Sequence, residues 1–240
     1  MRSDAQDRAS LTEHRFDTPD ALAAGLADTI ARLLREAIST RTHTTFVTSG
    51  GTTPRTMLER LARAPLAWNE VTVTLADERW VPTSDAASNE AMVRRALSGA
   101  AADARFVGLY TGDPTPEDGE ERCAARLASI ARPFDVVLLG MGDDGHTASL
   151  FPRAPGLADA LDPAGHVLCR AIRPPRLEPR MTLTLGALLD ARAVFLLFKG
   201  MAKRAVFEAA IAEGPIEDMP IRAVLRQQRV PVEVYWTPGE

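Results

Sequence analysis

Cysteine is almost missing from this 240-residue chain: only Cys123 and Cys169 are present, and neither sits in a C-x-x-C pair. No disulfide framework or metal staple is expected. A chain of this length can bury roughly 70 to 75% of its unfolded surface and needs neither. Both thiols read as small core residues in a reducing compartment. No apolar run approaches the roughly 18 residues of a membrane span. The opening stretch MRSDAQDRASLTEH also lacks the apolar centre of a signal peptide, so the expected location is the cytoplasm, with no membrane partner. An excess of positive charge is missing too. The formal net charge is -4, which argues against broad binding to nucleic acid. Lysine is the last scarcity, with Lys199 and Lys203 set against 26 arginines. Where arginine replaces lysine at tolerant sites, a surviving lysine is a candidate for a place that needs a compact ammonium, against chance survival at a helix start. Any bound phosphate must then meet a small local basic cluster.

What is present is globular material: 45% hydrophobic and 25% charged residues place the chain outside the disordered class. We expect one domain over residues 13–240, with residues 1–12 as a loose tail. Thr18-Pro19-Asp20 reads as a helix start, and the spacing of Leu22, Leu26, Ile30, Leu33 and Leu34 carries that helix to about Ile38. The β-branched run Thr44 to Thr48 ends in Ser49-Gly50-Gly51, and a second helix begins at Thr53-Pro54. Further strands are predicted at 71–76, 106–109, 134–139, 167–172, 181–185, 193–198 and 232–236, and further helices at 88–97, from 116, and at 202–212. Apolar strands alternating with helices specify a single-domain α/β fold, a doubly wound, mainly parallel sheet with helices on both faces. Such sheets place ligands at the loops leaving their C-terminal strand ends.

Several of those loops carry chemistry. In T-S-G-G-T-T-P, residues 48–54, Gly50 and Gly51 let the backbone turn successive N–H groups toward one point, and the helix start adds its unpaired donors and positive dipole end. With the hydroxyls of Ser49 and Thr52, this is a candidate phosphate cradle. It is not a P-loop, because no G-K-[ST] follows. The stretch L-L-G-M-G-D-D-G-H-T-A-S-L-F-P, residues 138–152, contains G-x-G-x-x-G. Asp143 and Asp144 would repel a pyrophosphate, however, and Pro152 cuts short the helix a dinucleotide site requires, so no nicotinamide or flavin cofactor is expected. The turn instead holds His146 beside two carboxylates. An imidazole is the natural proton-transfer group near neutral pH, and a carboxylate fixes its tautomer. Asp77, Glu78 and Arg79 end another strand, with Asn89 shortly after; a charged triplet alone reads as a solvated turn. Arg180 and Lys203 lie near strand ends, placed to meet an anion. Lys199 reads as strand-end structure.

Taken together, S-G-G-T-T-P, D-E-R-W-V-P with S-N shortly after, G-M-G-D-D-G-H-T-A-S-L-F-P, P-R-M-T-L-T and G-M-A-K resemble the 6-phosphogluconolactonases, in the same order and from about residue 15 onward. The resemblance implies a Rossmann-like fold shared with glucosamine-6-phosphate deaminases. It also implies hydrolysis of 6-phospho-D-glucono-1,5-lactone to 6-phosphogluconate, the second step of the oxidative pentose phosphate pathway, without metal or other cofactor. Carried over by residue, it implies His146 as general base and Asp144 as its orienting carboxylate. Ser49, Gly50, Gly51, Thr52, Arg180 and Lys203 would hold the phosphate, and Asp77, Arg79 and Asn89 would line the sugar side. Oxyanion donors would come from Arg79 or from the backbone of Gly142 to Gly145.

Two alternatives stand behind this reading. The deaminases carry G-H-I-A-F-N-E-P, with a glutamate soon after the histidine, whereas His146 to Pro152 holds no carboxylate. A non-catalytic sugar-phosphate sensor would normally carry a DNA-binding segment, which a 12-residue tail is too short to supply. The expected partner is a small sugar-phosphate lactone, with no nucleic acid and no obligate protein partner.

Overall fold

In the computed structural model, which describes residues 11–239, strands and helices alternate along the chain. The first half contains β1 (Leu11–Arg15), α1 (Pro19–Arg41), β2 (Thr44–Thr48), α2 (Thr52–Leu61), β3 (Val71–Leu75), β4 (Asp77–Arg79), α3 (Asn89–Ala96), β5 (Arg105–Val107) and α4 (Pro116–Ala128). The second contains β6 (Val136–Leu139), α5 (Leu157–Ala160), β7 (Cys169–Ile172), β8 (Arg180–Leu183), α6 (Leu185–Leu189), β9 (Val194–Lys199), α7 (Met201–Ile211), α8 (Ile221–Leu225) and β10 (Val232–Thr237). Seven strands form one sheet in the order β1-β10-β9-β6-β2-β3-β5, and all of its pairings are parallel. β2 and β6 are buried along their whole length, as a sheet covered on both faces requires.

The first helix forms where its local chemistry says it should. Thr18 Oγ1 accepts from Ala21 N at 3.1 Å, Pro19 occupies the first turn, and Leu22, Leu26, Ile30 and Leu34 are buried along one stripe. The helix outruns its predicted end at Ile38 and closes after Arg41, where Thr42 turns left-handed.

The strand order reverses between β2 and β6. From β2 the chain steps outward through α2 to β3; from β6 the next strand of this sheet is β9, on the opposite side. The crevice between those two C-terminal strand ends is the place a doubly wound sheet offers a ligand. Ser49 clamps it, since both its N–H and its hydroxyl donate to Leu138 O, at 3.0 and 3.1 Å.

The structure also departs from expectation in the N-terminal tail and in the placing of two strands. Leu11 and Thr12, expected in a loose tail, begin β1 and pair with β10; residues 1–10 lie outside the described residues. The strands predicted at 167–172 and 181–185 do not enter the large sheet. β7 and β8 instead join β4 in a separate antiparallel sheet, ordered β4-β8-β7, which docks on the large sheet through Leu183 N donating to Ala76 O at 2.8 Å. α4 packs against this small sheet: the Glu120 carboxylate accepts from Ala171 N at 2.7 Å and from Arg170 at 2.9 Å. Cys123 and Cys169 meet in that layer, both buried and free. Its neighbour Cys169, together with burial, pushes the Cys123 thiol above its ordinary pKa. Among the described residues no helix is long and apolar enough to cross a membrane.

Candidate active site

Three of the five described helices with eight or more residues have a hydroxyl over their first turn: Thr18 for α1, Ser88 for α3 and Thr115 for α4. α2 and α7 have none. Each of these begins instead at a glycine in the left-handed region, Gly51 with φ 107° and Gly200 with φ 88°, where a side chain would be strained. Their N-terminal donors are thus left without a protein cap. The first turn of α2 lines a cavity of about 470 Å³, and Lys199 and Lys203 flank it where α7 begins. Two uncapped helix starts beside one cavity favour an anion there.

The predicted substrate contacts all line this cavity: Ser49, Gly50, Gly51, Thr52, Asp77, Arg79, Asn89, Arg180 and Lys203, with His146 beside them. Asp144 stands behind His146. Lys199, read from sequence as strand-end structure only, lines the cavity as well.

The turn after β6 is held by its own backbone. Gly142 N donates to His146 O at 2.8 Å and Gly145 N to Gly142 O at 3.2 Å, while Thr147 Oγ1 donates to Gly140 O at 2.8 Å. These bonds narrow one expectation, because the N–H groups of Gly142 and Gly145 are engaged inside the turn, which leaves the amides of Asp143 and Asp144 as the oxyanion donors of that backbone. Asp144 Oδ1 accepts from His146 N at 3.0 Å and meets His146 Nδ1 at 2.6 Å. That contact makes Nδ1 the protonated nitrogen and leaves the Nε2 lone pair available. Burial alone would raise the Asp144 pKa, but the hydrogen bonds and charge of His146 outweigh it and hold the carboxyl below its ordinary value. The Phe151 ring lies between the two kinds of functional group, 4.2 Å from the His146 ring centroid and 5.8 Å from the Arg180 guanidinium carbon.

Asp77, Glu78 and Arg79 are not a solvated turn. They form β4, paired antiparallel with β8 so that Asp77 opposes Thr182 and Arg79 opposes Arg180. Strand alternation sends Asp77 and Arg79 to the cavity and Glu78 to the other face. Asp77 Oδ2 accepts from Ser149 Oγ at 2.5 Å, tying β4 to the histidine turn. Arg180 is 7% exposed; burial lowers its pKa most, with Asp77 opposing and Arg79 adding to the shift, yet a guanidinium stays protonated. Two arginines facing each other across a strand pair repel, and an anion between them removes the repulsion.

Glu78 is the residue that the sequence reading undervalued. Fully buried, it accepts four hydrogen bonds: Oε1 from Arg79 N at 2.8 Å and Asn89 N at 2.7 Å, Oε2 from Glu90 N at 2.8 Å and Ser88 Oγ at 3.1 Å. It thereby fixes both Arg79 and Asn89. Asn89 Nδ2 donates to Asp77 O at 2.9 Å, and its Oδ1 packs so closely on the Gly50 backbone that a Cβ there would lie 1.9 Å away. The sequence signal was the Ser88-Asn89-Glu90 helix start, whose unpaired N–H groups need an acceptor.

A family profile described as Glucosamine-6-phosphate isomerases/6-phosphogluconolactonase matches residues 17–236. The chain is 42% identical over 233 residues to the 6-phosphogluconolactonase of Rhizobium meliloti (strain 1021), an alignment covering 95% of this chain and 100% of that one. It is 44% identical over 218 residues to the 6-phosphogluconolactonase of Pseudomonas aeruginosa, covering 90% of each. Among solved structures, a 6-phosphogluconolactonase from Shewanella baltica OS155 matches with a TM-score of 0.93 at 40% identity, over 97% of this chain and 100% of that chain.

Proposed function

The chain belongs to the glucosamine-6-phosphate isomerase and 6-phosphogluconolactonase family, and on that premise we propose that it is a 6-phosphogluconolactonase, hydrolysing 6-phospho-D-glucono-1,5-lactone to 6-phosphogluconate. One observation carries this reading beyond the family likeness: His146, with Nδ1 on Asp144 at 2.6 Å, shares a cavity with Arg180, Lys203 and the uncapped start of α2. A general base and an anion site stand together there.

In this reading the phosphate lies among residues 49–52, Arg180 and Lys203, and the lactone carbonyl points at His146. A lactone is an activated ester, so attack by water needs no metal. His146 Nε2 takes a proton from water as the oxygen bonds to C1. When the tetrahedral intermediate collapses, the bond from C1 to the ring oxygen breaks and the imidazolium gives its proton to that oxygen. Asp144 holds the ring and stabilises the imidazolium. With the Gly142 and Gly145 amides engaged, Arg79 and the amides of Asp143 and Asp144 are the remaining donors nominated for the oxyanion. The reaction is assigned to the cytoplasm.

Purified protein should consume the lactone well above its spontaneous hydrolysis, and His146→Ala should lower kcat by about 100-fold or more with 6-phosphogluconate binding nearly intact. A mutant retaining more than half the wild-type rate removes His146 from the mechanism. Release of ammonia from glucosamine 6-phosphate in place of lactone turnover would assign the chain to the isomerising branch instead.

A further inference from the structure

Lys203 lines the cavity, yet its ammonium is already engaged. Nζ lies 2.8 Å from Asp143 Oδ1, with the lysine side chain 26% exposed and the aspartate 85% exposed. Asp143 makes no other side-chain hydrogen bond or ion pair among the described residues. Its neighbour Asp144 is bonded twice to His146, so the two adjacent carboxylates of one turn serve different partners. We propose that Asp143 is a counter-ion that competes with the substrate's phosphate for Lys203 and so limits how tightly phosphorylated ligands, the product above all, are held. This rests on the reading that Lys203 binds phosphate.

The physical reasoning is one of charge exchange. The cavity gathers Arg79, Arg180, Lys199 and Lys203 near two uncapped helix starts, and Asp143 neutralises one of these four cations. An arriving phosphate must take the ammonium from that carboxylate. Because Asp143 is almost fully exposed, it swings into water with little desolvation, and an exposed pair is weak. The exchange is therefore close to balanced, and a several-fold effect is the right scale. Hydrolysis then creates a second anion, the product carboxylate, beside the turn that already bears Asp143 and Asp144. Asp143 should penalise that product more than the lactone.

The test is Asp143→Asn in the full-length enzyme, alone and combined with Lys203→Gln. Asp143→Asn should lower the competitive inhibition constants of 6-phosphogluconate and inorganic phosphate about 2- to 5-fold, the range of an exposed ion pair. The KM for the lactone should fall less, the effect should shrink at high salt, and gluconate, which carries the carboxylate without the phosphate, should gain less than 6-phosphogluconate. In the Lys203→Gln background the gain for inorganic phosphate should vanish. A gain for inorganic phosphate that persists without Lys203 overturns the proposal, because a general field would then be responsible. An unchanged or raised constant for Asp143→Asn overturns it too, leaving Asp143 a bystander or a support for Lys203. If Lys203→Gln alone leaves both inhibition constants unchanged, the phosphate-site reading itself fails; if it weakens both while Asp143→Asn tightens neither, only this inference falls.

Discussion

Replacing Gly142 with alanine should destroy catalysis while leaving the fold nearly intact. A Cβ at position 142 would sit 2.0 Å from His146 Nδ1, 2.2 Å from Cε1 and 2.7 Å from Asp144 Oδ1, where ordinary contact begins at 3.4 Å. The imidazole must retreat by the difference between 3.4 and 2.0 Å, about 1.4 Å. Such a shift breaks the 2.6 Å bond to Asp144, since hydrogen bonds do not stretch that far. Misplacing a catalytic group by about 1 Å is worth roughly 100-fold in rate, and loss of a general base roughly 100- to 10,000-fold. The obstacle is the far end of a rotatable side chain that is about one-third exposed, and Gly142 has no positive φ. Folding should therefore weaken by no more than about 1 to 2 kcal/mol. Three measurements decide the matter: kcat corrected for spontaneous hydrolysis, the inhibition constant of 6-phosphogluconate, and Tm. The expected result is a kcat lower by about 100-fold or more with the inhibition constant within about twofold. A folded Gly142→Ala enzyme that keeps more than half its kcat would show that His146 tolerates displacement, and the geometric reasoning would be wrong.

Arg180→Ala should weaken binding of 6-phosphogluconate by roughly 1.5 to 3 kcal/mol, the worth of a desolvated charged hydrogen bond, and affect unphosphorylated gluconolactone far less. Equal losses on both would mean that Arg180 supports the β4–β8 pair and not the phosphate. Glu78→Gln should destabilise the fold by about 1 to 3 kcal/mol, because the amide cannot accept from all of the donors around it. Its pH dependence has a definite sign. Burial raises the Glu78 pKa, so the folded state binds the proton more tightly than the unfolded one. That stabilisation is complete below the ordinary glutamate value of about 4.3 and is lost as pH rises through the raised folded value. Glutamine does not titrate, so the Tm advantage of the wild type should widen as pH falls toward about 4; a constant gap contradicts a raised pKa.

Local chemistry was the readable part of this sequence. Thr18-Pro19 and Thr115-Pro116 start helices because a hydroxyl and a proline satisfy the first turn by themselves, and Ser49-Gly50-Gly51 ends a strand because only glycine takes the turn that follows. β1 was unreadable for the opposite reason. At the sheet edge its residues LTEHR are mostly exposed, so no apolar alternation survives. The division of the strands into two sheets depends on Ala76 meeting Leu183, a contact between residues more than a hundred positions apart that no periodicity encodes. The candidate site was legible as a set of residues and illegible as a circuit. Nothing in the sequence says that Asp77 reaches Ser149, that Glu78 binds the start of α3, or that Asp143 reaches Lys203.

The bare start of α2 has a consequence for how mutational data on this protein should look. The groups it offers the cavity are amide hydrogens, which no single codon change removes, short of proline. A saturation scan over residues 50–53 should then show a lopsided record, with sharp intolerance at Gly50, where Asn89 leaves no room for a methyl, and at Gly51, where φ is 107°, beside wide latitude at Thr53. Read by alanine replacement at Thr53 alone, the segment looks peripheral. Its chemistry is written in chain conformation, and position 53 can drift for a long time without changing what the site presents.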